Sequence, residues 1–494
     1  MSPAERRSAG DAGVDAGVAG AAAVAETHSA VVFFFGDRAY KVKKPVDLGF
    51  LDFSTVEARR AACEREVALN RRLAPDVYLG VAVVLDPDGA PGEPMVVMRR
   101  LPDGRRLRAC LERGESVTSA LHDVARQLAT LHSAPSLPER TSVATAASVR
   151  TLWTDGFETL AAHPSNDLDP ALQRRVESLA LRYLDGRAAL FDHRIATGQV
   201  RDGHGDLQAE DVFVLDDGPR ILDCLEFDDE LRWGDVLLDV GFLAMDLERL
   251  GHPDLASGFL ADYRERSGRS WPPSLAHHYL AYRAFVRAKV AVLRDEQTGR
   301  RSLDAAALQR QCASHLEAGR IRLVLVGGAP GTGKSTVAAA LGDATGSVVL
   351  RTDAVRRQGP VRADRYSPSA IEDTYRRMLD EAEQQLALGA HVILDATWSD
   401  AAHRALARRA ADKAAADLVE VRCTAPLEVC RSRISRRRAE GRDPSEATPE
   451  IAAEIAQRFE PWPEAHVVDT DRDLERVLEE TLAACRWERP LRAI

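Results

Sequence analysis

The amino-acid sequence predicts two units of different class, a two-lobed α+β unit followed by an α/β doubly wound unit on a parallel sheet. Three observations carry this expectation. Residues 27–100 alternate short apolar runs with turns while 101–318 read mostly as helices, the order of a small β-rich lobe followed by a helical one. From residue 319 onward, apolar runs of strand length alternate with helical segments, which implies parallel βαβ units. The 494 residues also leave room for more than one packed core.

The elements follow in order. Residues 1–26 are rich in Ala, Gly and Val behind Arg6 and Arg7, but Asp11 and Asp15 interrupt the apolar run, so a disordered tail is expected rather than a signal peptide. The runs 28–35 and 38–43 flank Gly36-Asp37 and read as a hairpin. Residues 55–74 switch to helical spacing through Val67, Leu69 and Leu73, and 95–98 reads as a strand. Helices are expected over 116–132 and much of 140–300, broken by a turn-rich stretch at 201–235. Residues 302–317 form one more helix before a boundary at Gly319, and strands follow at 321–327, 347–351, 391–395, 418–423 and 466–468.

Composition narrows the class. With 45% hydrophobic and 29% charged residues the chain reads as globular, and its apolar runs fall short of the roughly 18–20 residues of a membrane helix. Seven scattered cysteines without a C-x-x-C pair suit neither a disulfide framework nor a zinc ribbon, and point to a reducing cytoplasm. Lysine stands only at Lys41, Lys43, Lys44, Lys289, Lys334 and Lys413 in an arginine-rich chain, so four of six lysines fall in two short segments. A compact ammonium on a flexible stem suits phosphate groups, which marks both segments as candidate nucleotide sites.

Directly after the strand at 321–327, residues 328–335 read Gly-Ala-Pro-Gly-Thr-Gly-Lys-Ser and fit G-x-x-x-x-G-K-[ST]. Gly328, Gly331 and Gly333 let backbone N–H groups turn toward phosphate oxygens, Lys334 reaches the β and γ phosphates, and Ser335 can ligate Mg²⁺, with Thr336 completing the nucleotide-binding set. The next strand ends in Asp353-Ala-Val-Arg356. Here the sequence resembles P-loop kinases of the polynucleotide kinase, gluconate kinase and zeta-toxin group. The resemblance implies that Asp353 accepts the proton of the acceptor hydroxyl and Arg356 positions the acceptor; the alternative is that Asp353 caps the next helix. Asp395 ends a strand resembling the Walker B region and is available to Mg²⁺ or to Ser335. The arginine-rich helix through Arg431, Arg433, Arg436, Arg437 and Arg438 leads into residues 441–445 and resembles the lid of such kinases. Arg433 and Arg437, spaced i, i+4, are the candidates for stabilising the transferred phosphoryl group, and a solvated basic face is the reading for the others.

The first half carries a second constellation: His204-Gly205-Asp206, then Asp211, Ile221-Leu222-Asp223, and Gly234-Asp235-x-x-x-Asp239. It resembles the aminoglycoside phosphotransferase and choline or fructosamine kinase group, relatives of the protein kinases. The resemblance puts Asp206 at the catalytic carboxylate, Asp223 and Asp211 on Mg²⁺ (Asp211 where the family has asparagine), Lys41 on the nucleotide with Lys43 in reserve, and Glu66 as its partner. Residues 98–101 resemble the hinge that contacts adenine, residues 26–29 would cover the phosphates in place of a G-x-G-x-x-G loop, and His132 reads as packing.

The leading expectation is an ATP-dependent phosphotransferase with one Mg²⁺–ATP site in each half and small-molecule hydroxyl groups as acceptors. The acidic balance of the first half, with Asp228, Asp229 and Glu230 behind the metal strand, suits amine-bearing acceptors and equally suits a solvated surface. Residues 320–494 carry 27 basic and 28 acidic residues, which disfavours a polynucleotide substrate. Two alternatives stay open: a nucleotide-sensing regulator with a degenerate first kinase domain, and a polynucleotide-end kinase.

Overall fold

The computed structural model describes residues 23–26, 29–47, 52–85, 88, 91–135, 137–299, 304–358, 367–440 and 448–487. Packing divides the chain into two compact units, residues 1–143 with 198–269, and residues 144–197 with 270–494.

The first unit opens with a five-stranded antiparallel sheet in the order β1-β2-β3-β5-β4, formed by β1 (Ala23–Glu26), β2 (Ala30–Phe35), β3 (Arg38–Lys43), β4 (Tyr78–Leu85) and β5 (Pro91–Arg99). Gly36, at φ +58°, supplies the left-handed residue of the tight β2–β3 turn. The expected tail ends earlier than residue 26, because 23–26 pair antiparallel with β2, Val24 opposite Phe33; residues 1–22 lie outside the described residues. The helix Val56–Asn70 starts at Thr55, whose hydroxyl accepts the Ala58 N–H at 3.1 Å. It packs on β4 and β5 through Cys63 and Val67, which join Ala39, Tyr78, Val96 and Met98 in one core cluster.

The turn-rich stretch at 201–235 resolves into two ribbons. Strand β6 (Val200–Asp202) pairs with β9 (Trp233–Asp235), and β7 (Val212–Leu215) pairs with β8 (Gly218–Ile221). Behind them run the helices Thr118–Leu131, Val236–Arg249 and Pro253–Ser267. The middle one is buried along nearly its whole length, as its sequence, apolar all round apart from Asp239, Asp246 and its C-terminal Glu248-Arg249, requires.

The second unit holds a five-stranded all-parallel sheet in the order β11-β12-β10-β13-β14, from β10 (Arg322–Gly327), β11 (Val348–Arg351), β12 (Val392–Asp395), β13 (Asp417–Thr424) and β14 (His466–Asp469). Both faces of β10 are covered, which explains its unbroken apolar run. The chain leaves β10 toward β11 and β12 on one side and β13 and β14 on the other. The carboxyl end of β10 therefore lies where strand order reverses, the position at which such sheets bind ligands.

Five further helices pack in this unit: Ala146–Ala162, Pro170–Asp185, Ala188–Ala196, Pro273–Thr298 and Asp304–Ala318. They precede residue 319 in sequence, so the division by packing does not follow the linear boundary there. Close approach makes the attachment. A Cβ on Gly186 would stand 2.2 Å from the Ala414 carbonyl, and the Ser274 hydroxyl donates to the Gly389 carbonyl at 2.7 Å. No helix among the described residues is long and apolar enough to cross a membrane.

Candidate active sites

In the first unit, β3 places Lys41 and Lys43 on one face, because side chains two apart on a strand point the same way. Both reach Glu66 on the helix Val56–Asn70: Lys41 Nζ lies 2.8 Å from Oε1 and Lys43 Nζ 2.5 Å from Oε2. Lys41 also touches Asp223 Oδ1 at 3.0 Å, and Lys43 pairs with Glu226. Lys41 remains partly open while Lys43 is sealed, and Glu66 is 1% exposed. Burial would push the Lys41 ammonium down, but Asp223, Glu66 and Glu226 outweigh it and hold it well above the usual lysine value. The same contact with Lys41 holds the Asp223 carboxyl below its ordinary value.

Asp223 sits at φ +60°, a conformation that costs a non-glycine residue energy and that the surroundings must enforce. They do so on every side. The Asp223 N–H donates to the Tyr78 hydroxyl at 3.2 Å, Cys224 N–H to Asn70 Oδ1 at 2.9 Å, and Leu222 N–H to the Asp211 carbonyl at 2.9 Å. The segment from His204 to Asp211 is likewise pinned. Asp239 accepts the backbone N–H groups of His204 at 3.0 Å and Gly205 at 2.7 Å, and Asp246 accepts that of Ala209 at 3.0 Å.

Within this frame Asp206 stands partly open and accepts from Gln208 Nε2 at 3.2 Å, while Asp211 Oδ2 accepts the Gln208 N–H at 3.0 Å. Burial, together with the charges of Asp223 and Asp206, pushes the Asp211 carboxyl well above its ordinary value. Three carboxylates thus sense one another, the condition a divalent cation relieves. No group of three or more His, Cys, Asp or Glu among the described residues is close enough to hold a metal alone. Asp223 and Asp211 are the carboxylates that could hold a Mg²⁺ ion, which takes one or two carboxylates and completes its shell with water and substrate phosphates.

Two functional groups escaped the sequence reading. His132, read as packing, is fully buried and bridges Asp239 Oδ2 at 3.1 Å to the Tyr263 hydroxyl at 2.8 Å, so it orients the carboxylate that holds the Asp206 loop. Asp246 performs the same task one step along the loop. The available signal was two acids seven residues apart, on one face of an otherwise apolar helix. In the acidic trio behind the metal strand, the charge of Asp229 is taken up by Arg65, Arg232 and Arg140, and Asp228 caps the following turn by accepting the Glu230 N–H at 2.7 Å. The expected phosphate cover at 26–29 has residues 27 and 28 outside the described residues, and Met98 of the expected hinge is buried in the small-lobe core.

In the second unit, Gly328, Gly331 and Gly333 adopt φ +144°, +86° and +82° between β10 and the helix Lys334–Thr345. The loop is a cradle only glycine can make: a Cβ on Gly328 would meet the Cys423 carbonyl at 2.5 Å, and one on Gly331 the Cys430 carbonyl at 2.7 Å. Lys334 and Ser335 are half-buried at the helix N-terminus and Thr336 is exposed beside them. The parallel register sets Asp395 beside Val326 of β10 and Arg351 of β11. Its Oδ2 accepts from Arg351 Nε at 2.9 Å, whereas Oδ1 is buried without a partner, an acceptor aimed at a missing donor or cation.

Asp353 lies in the first turn of the short helix Thr352–Gln358 and pairs with Arg356 at 2.8 Å, so the two expected acceptor residues meet at the same sheet edge. Arg433 and Arg437 both line, with Arg436 and Thr336, a cleft of about 270 Å³ beside the phosphate loop. Arg433 also donates to Thr470 Oγ1 at 3.1 Å and to its carbonyl at 2.9 Å, and the Thr470 hydroxyl donates to the Thr332 carbonyl of the loop at 2.6 Å, which ties the arginine-rich helix to the loop through the segment after β14. Residues 441–447 of the expected lid lie outside the described residues.

Both halves of the chain resemble known proteins. The phosphotransferase enzyme family matches residues 32–276 and an AAA domain matches residues 323–462. The uncharacterized protein Rv2004c of Mycobacterium tuberculosis is 42% identical over 467 residues, covering 92% of this chain and 93% of that one. Among solved structures, a choline/ethanolamine kinase family protein from Mesorhizobium loti covers 61% of this chain and 90% of its own at 14% identity and TM-score 0.38. The Mycobacterium tuberculosis APS kinase CysC covers 34% and 98% at 24% identity and TM-score 0.28. The chain belongs to a family of two-domain kinase-like proteins, shared with Rv2004c, in which an aminoglycoside phosphotransferase-like domain precedes a P-loop kinase domain.

Proposed function

We propose that the protein is an ATP-dependent phosphotransferase with two independent Mg²⁺–ATP sites, each transferring the γ-phosphoryl group to a hydroxyl of a small molecule. The observation that carries the reading is that each unit holds its own set of phosphate-directed cation and metal-directed carboxylate, Lys41 with Asp223 in one and Lys334 with Asp395 in the other.

In the first unit Lys41, held by Glu66, grips the phosphates, and Asp223 with Asp211 would hold the cation. Asp206 orients the acceptor hydroxyl and takes its proton as the acceptor O–P bond forms and the bond from the γ-phosphorus to the leaving ADP oxygen breaks. In the second, backbone N–H groups around Gly331 and Gly333 wrap the phosphates and Lys334 neutralises the outer ones. Ser335 and the unpartnered Oδ1 of Asp395 would hold the cation and its water. Asp353 receives the acceptor proton, Arg356 positions the acceptor, and Arg437 faces the transferred group. In both, Mg²⁺ supplies charge neutralisation across the phosphates when bound. The near-zero charge balance of residues 320–494 supports a small acceptor over a polynucleotide, and seven buried free cysteines support a reducing cytoplasm.

A second reading, a nucleotide-sensing regulator whose degenerate first domain docks a partner and no longer takes Mg²⁺–ATP around Asp223 while only the P-loop domain turns over, draws on Asp211, where a carboxyl pushed up by its neighbours replaces the family's asparagine. Calorimetric Mg²⁺–ATP stoichiometry separates the two. Two sites in wild type, falling to one in Lys334→Ala and to one in Asp223→Ala, support the bifunctional kinase. A single site lost only in Lys334→Ala overturns it.

A further inference from the structure

Within the second unit, a narrow cavity lies between the helices Pro170–Asp185 and Pro273–Thr298 and the amino-terminal ends of β10 and β13, walled by Leu179, Leu316 and Ile321. Its polar lining donates rather than accepts. Arg187 is 0% exposed and stands over the Tyr183 ring, 5.6 Å from its centroid; its Nη1 donates to the carbonyls of Gly186 and Ala414, both at 2.7 Å, while its Nε and Nη2 have no hydrogen-bond partner. Among the described residues no carboxylate forms an ion pair with it. His278, on the same cavity, accepts the Trp153 indole N–H through Nε2 at 3.2 Å. A neutral imidazole that accepts at Nε2 carries its proton on Nδ1, and that buried Nδ1 is also without a partner. The one acid lining the cavity, Asp417, is already engaged by Arg320 at 2.6 Å and Arg182 at 3.3 Å.

A buried guanidinium without a counter-ion is among the costlier arrangements a fold can hold. Burial lowers the Arg187 value to about 10, which leaves it charged at neutral pH. A water accepts from two donors and brings no charge, so it leaves the guanidinium uncompensated. We infer that this cavity binds a small inorganic monoanion of halide size, held by Arg187 Nε and Nη2 and by His278 Nδ1–H. Size sets the class: with room for about 20 Å³, the cavity takes one water-sized occupant, and a phosphate or an organic carboxylate is too large. The anion cements the helices that precede residue 319 to the sheet that carries the phosphate loop. Strain at the same wall, where Ala415 sits at φ +47° and Gly186 admits no Cβ, fits a joint closed around an occupant.

The test uses the full chain and sodium bromide. Crystals grown with bromide are expected to show an anomalous peak against Arg187 Nε and Nη2. In solution, bromide or chloride is expected to raise the unfolding temperature of the second unit saturably, by about 3–6 °C, over sodium gluconate at equal ionic strength. Arg187→Met, close in volume and uncharged, should lose the halide-specific rise. A cavity holding water alone in bromide-grown crystals overturns the inference, as does a rise equal in gluconate. The crystallographic arm decides the matter even if Arg187→Met does not fold.

Discussion

Asp239 offers the sharpest test of how the Asp206 loop is held. Its two oxygens accept three donors, the His204 and Gly205 N–H groups at 3.0 and 2.7 Å and His132 Nε2 at 3.1 Å, with no solvent to replace any of them. Asp239→Asn preserves shape but turns one acceptor into an NH₂ donor, so at least one buried backbone N–H faces another donor. Leaving a buried donor unpaired costs about 1–3 kcal/mol, and the remaining bonds lose charge assistance worth about 1 kcal/mol, roughly 2–4 kcal/mol in all. Local opening should therefore become about 30- to 700-fold more frequent, at 1.4 kcal/mol per decade. Hydrogen exchange by mass spectrometry on the full chain, read in peptides spanning 203–211, measures this directly, with peptides from the second unit as the internal control. Exchange there unchanged within about threefold would refute the claim that Asp239 holds the loop.

Gly331→Ala should abolish nucleotide binding at the phosphate loop while leaving the first-unit site intact. Its Cβ would lie 2.7 Å from the Cys430 carbonyl at a φ of +86°, and a titration showing both sites retained counts against the cradle geometry. Lys43→Met strands Glu66 Oε2 and Glu226 without their shared cation and should destabilise the first unit by about 3–5 kcal/mol, with Glu226→Gln in the same chain recovering part of the loss. Additive effects in that double-mutant cycle would show the pair to be uncoupled. Acid should weaken the second unit early. His277 and His278 are held near 3 and His391 near 4, chiefly by burial, against about 6.5 unfolded, so the unfolded chain binds more protons below pH 6.5. Stability is complete above that value and falls as pH drops toward 4, by about 1.4 kcal/mol per pH unit for the fully buried His278 and less for the half-buried pair. A denaturation midpoint flat between pH 7 and 5 would contradict it.

The phosphate loop was legible because the motif is contiguous: glycines, lysine and serine within eight residues carry both the backbone conformation and the chemistry. The β2–β3 hairpin was legible for a related reason, since alternation is a local property of the chain, whereas Lys41 and the carboxylates at 206, 211 and 223 were singled out by their resemblance to a family motif. What could not be read locally depended on partners far away in sequence. Strand β1 exists because the edge of β2 pairs with it, ending the tail four residues sooner than composition suggested. Asp229 looked like a free acid until tertiary structure surrounded it with arginines from residues 65, 140 and 232. The same holds for His132, Asp239 and Asp246, whose meaning lies in backbone N–H groups between 34 and 37 residues distant or in one another. Sequence alone determined the two classes of unit and named most of the candidate site side chains, because periodicity and contiguous motifs encode backbone path directly. Only the tertiary structure decided which charges are spent on one another, which stay open for phosphates, and which helices stand on the parallel sheet. Burial and pairing are properties of distant residues brought together, and no local pattern contains them.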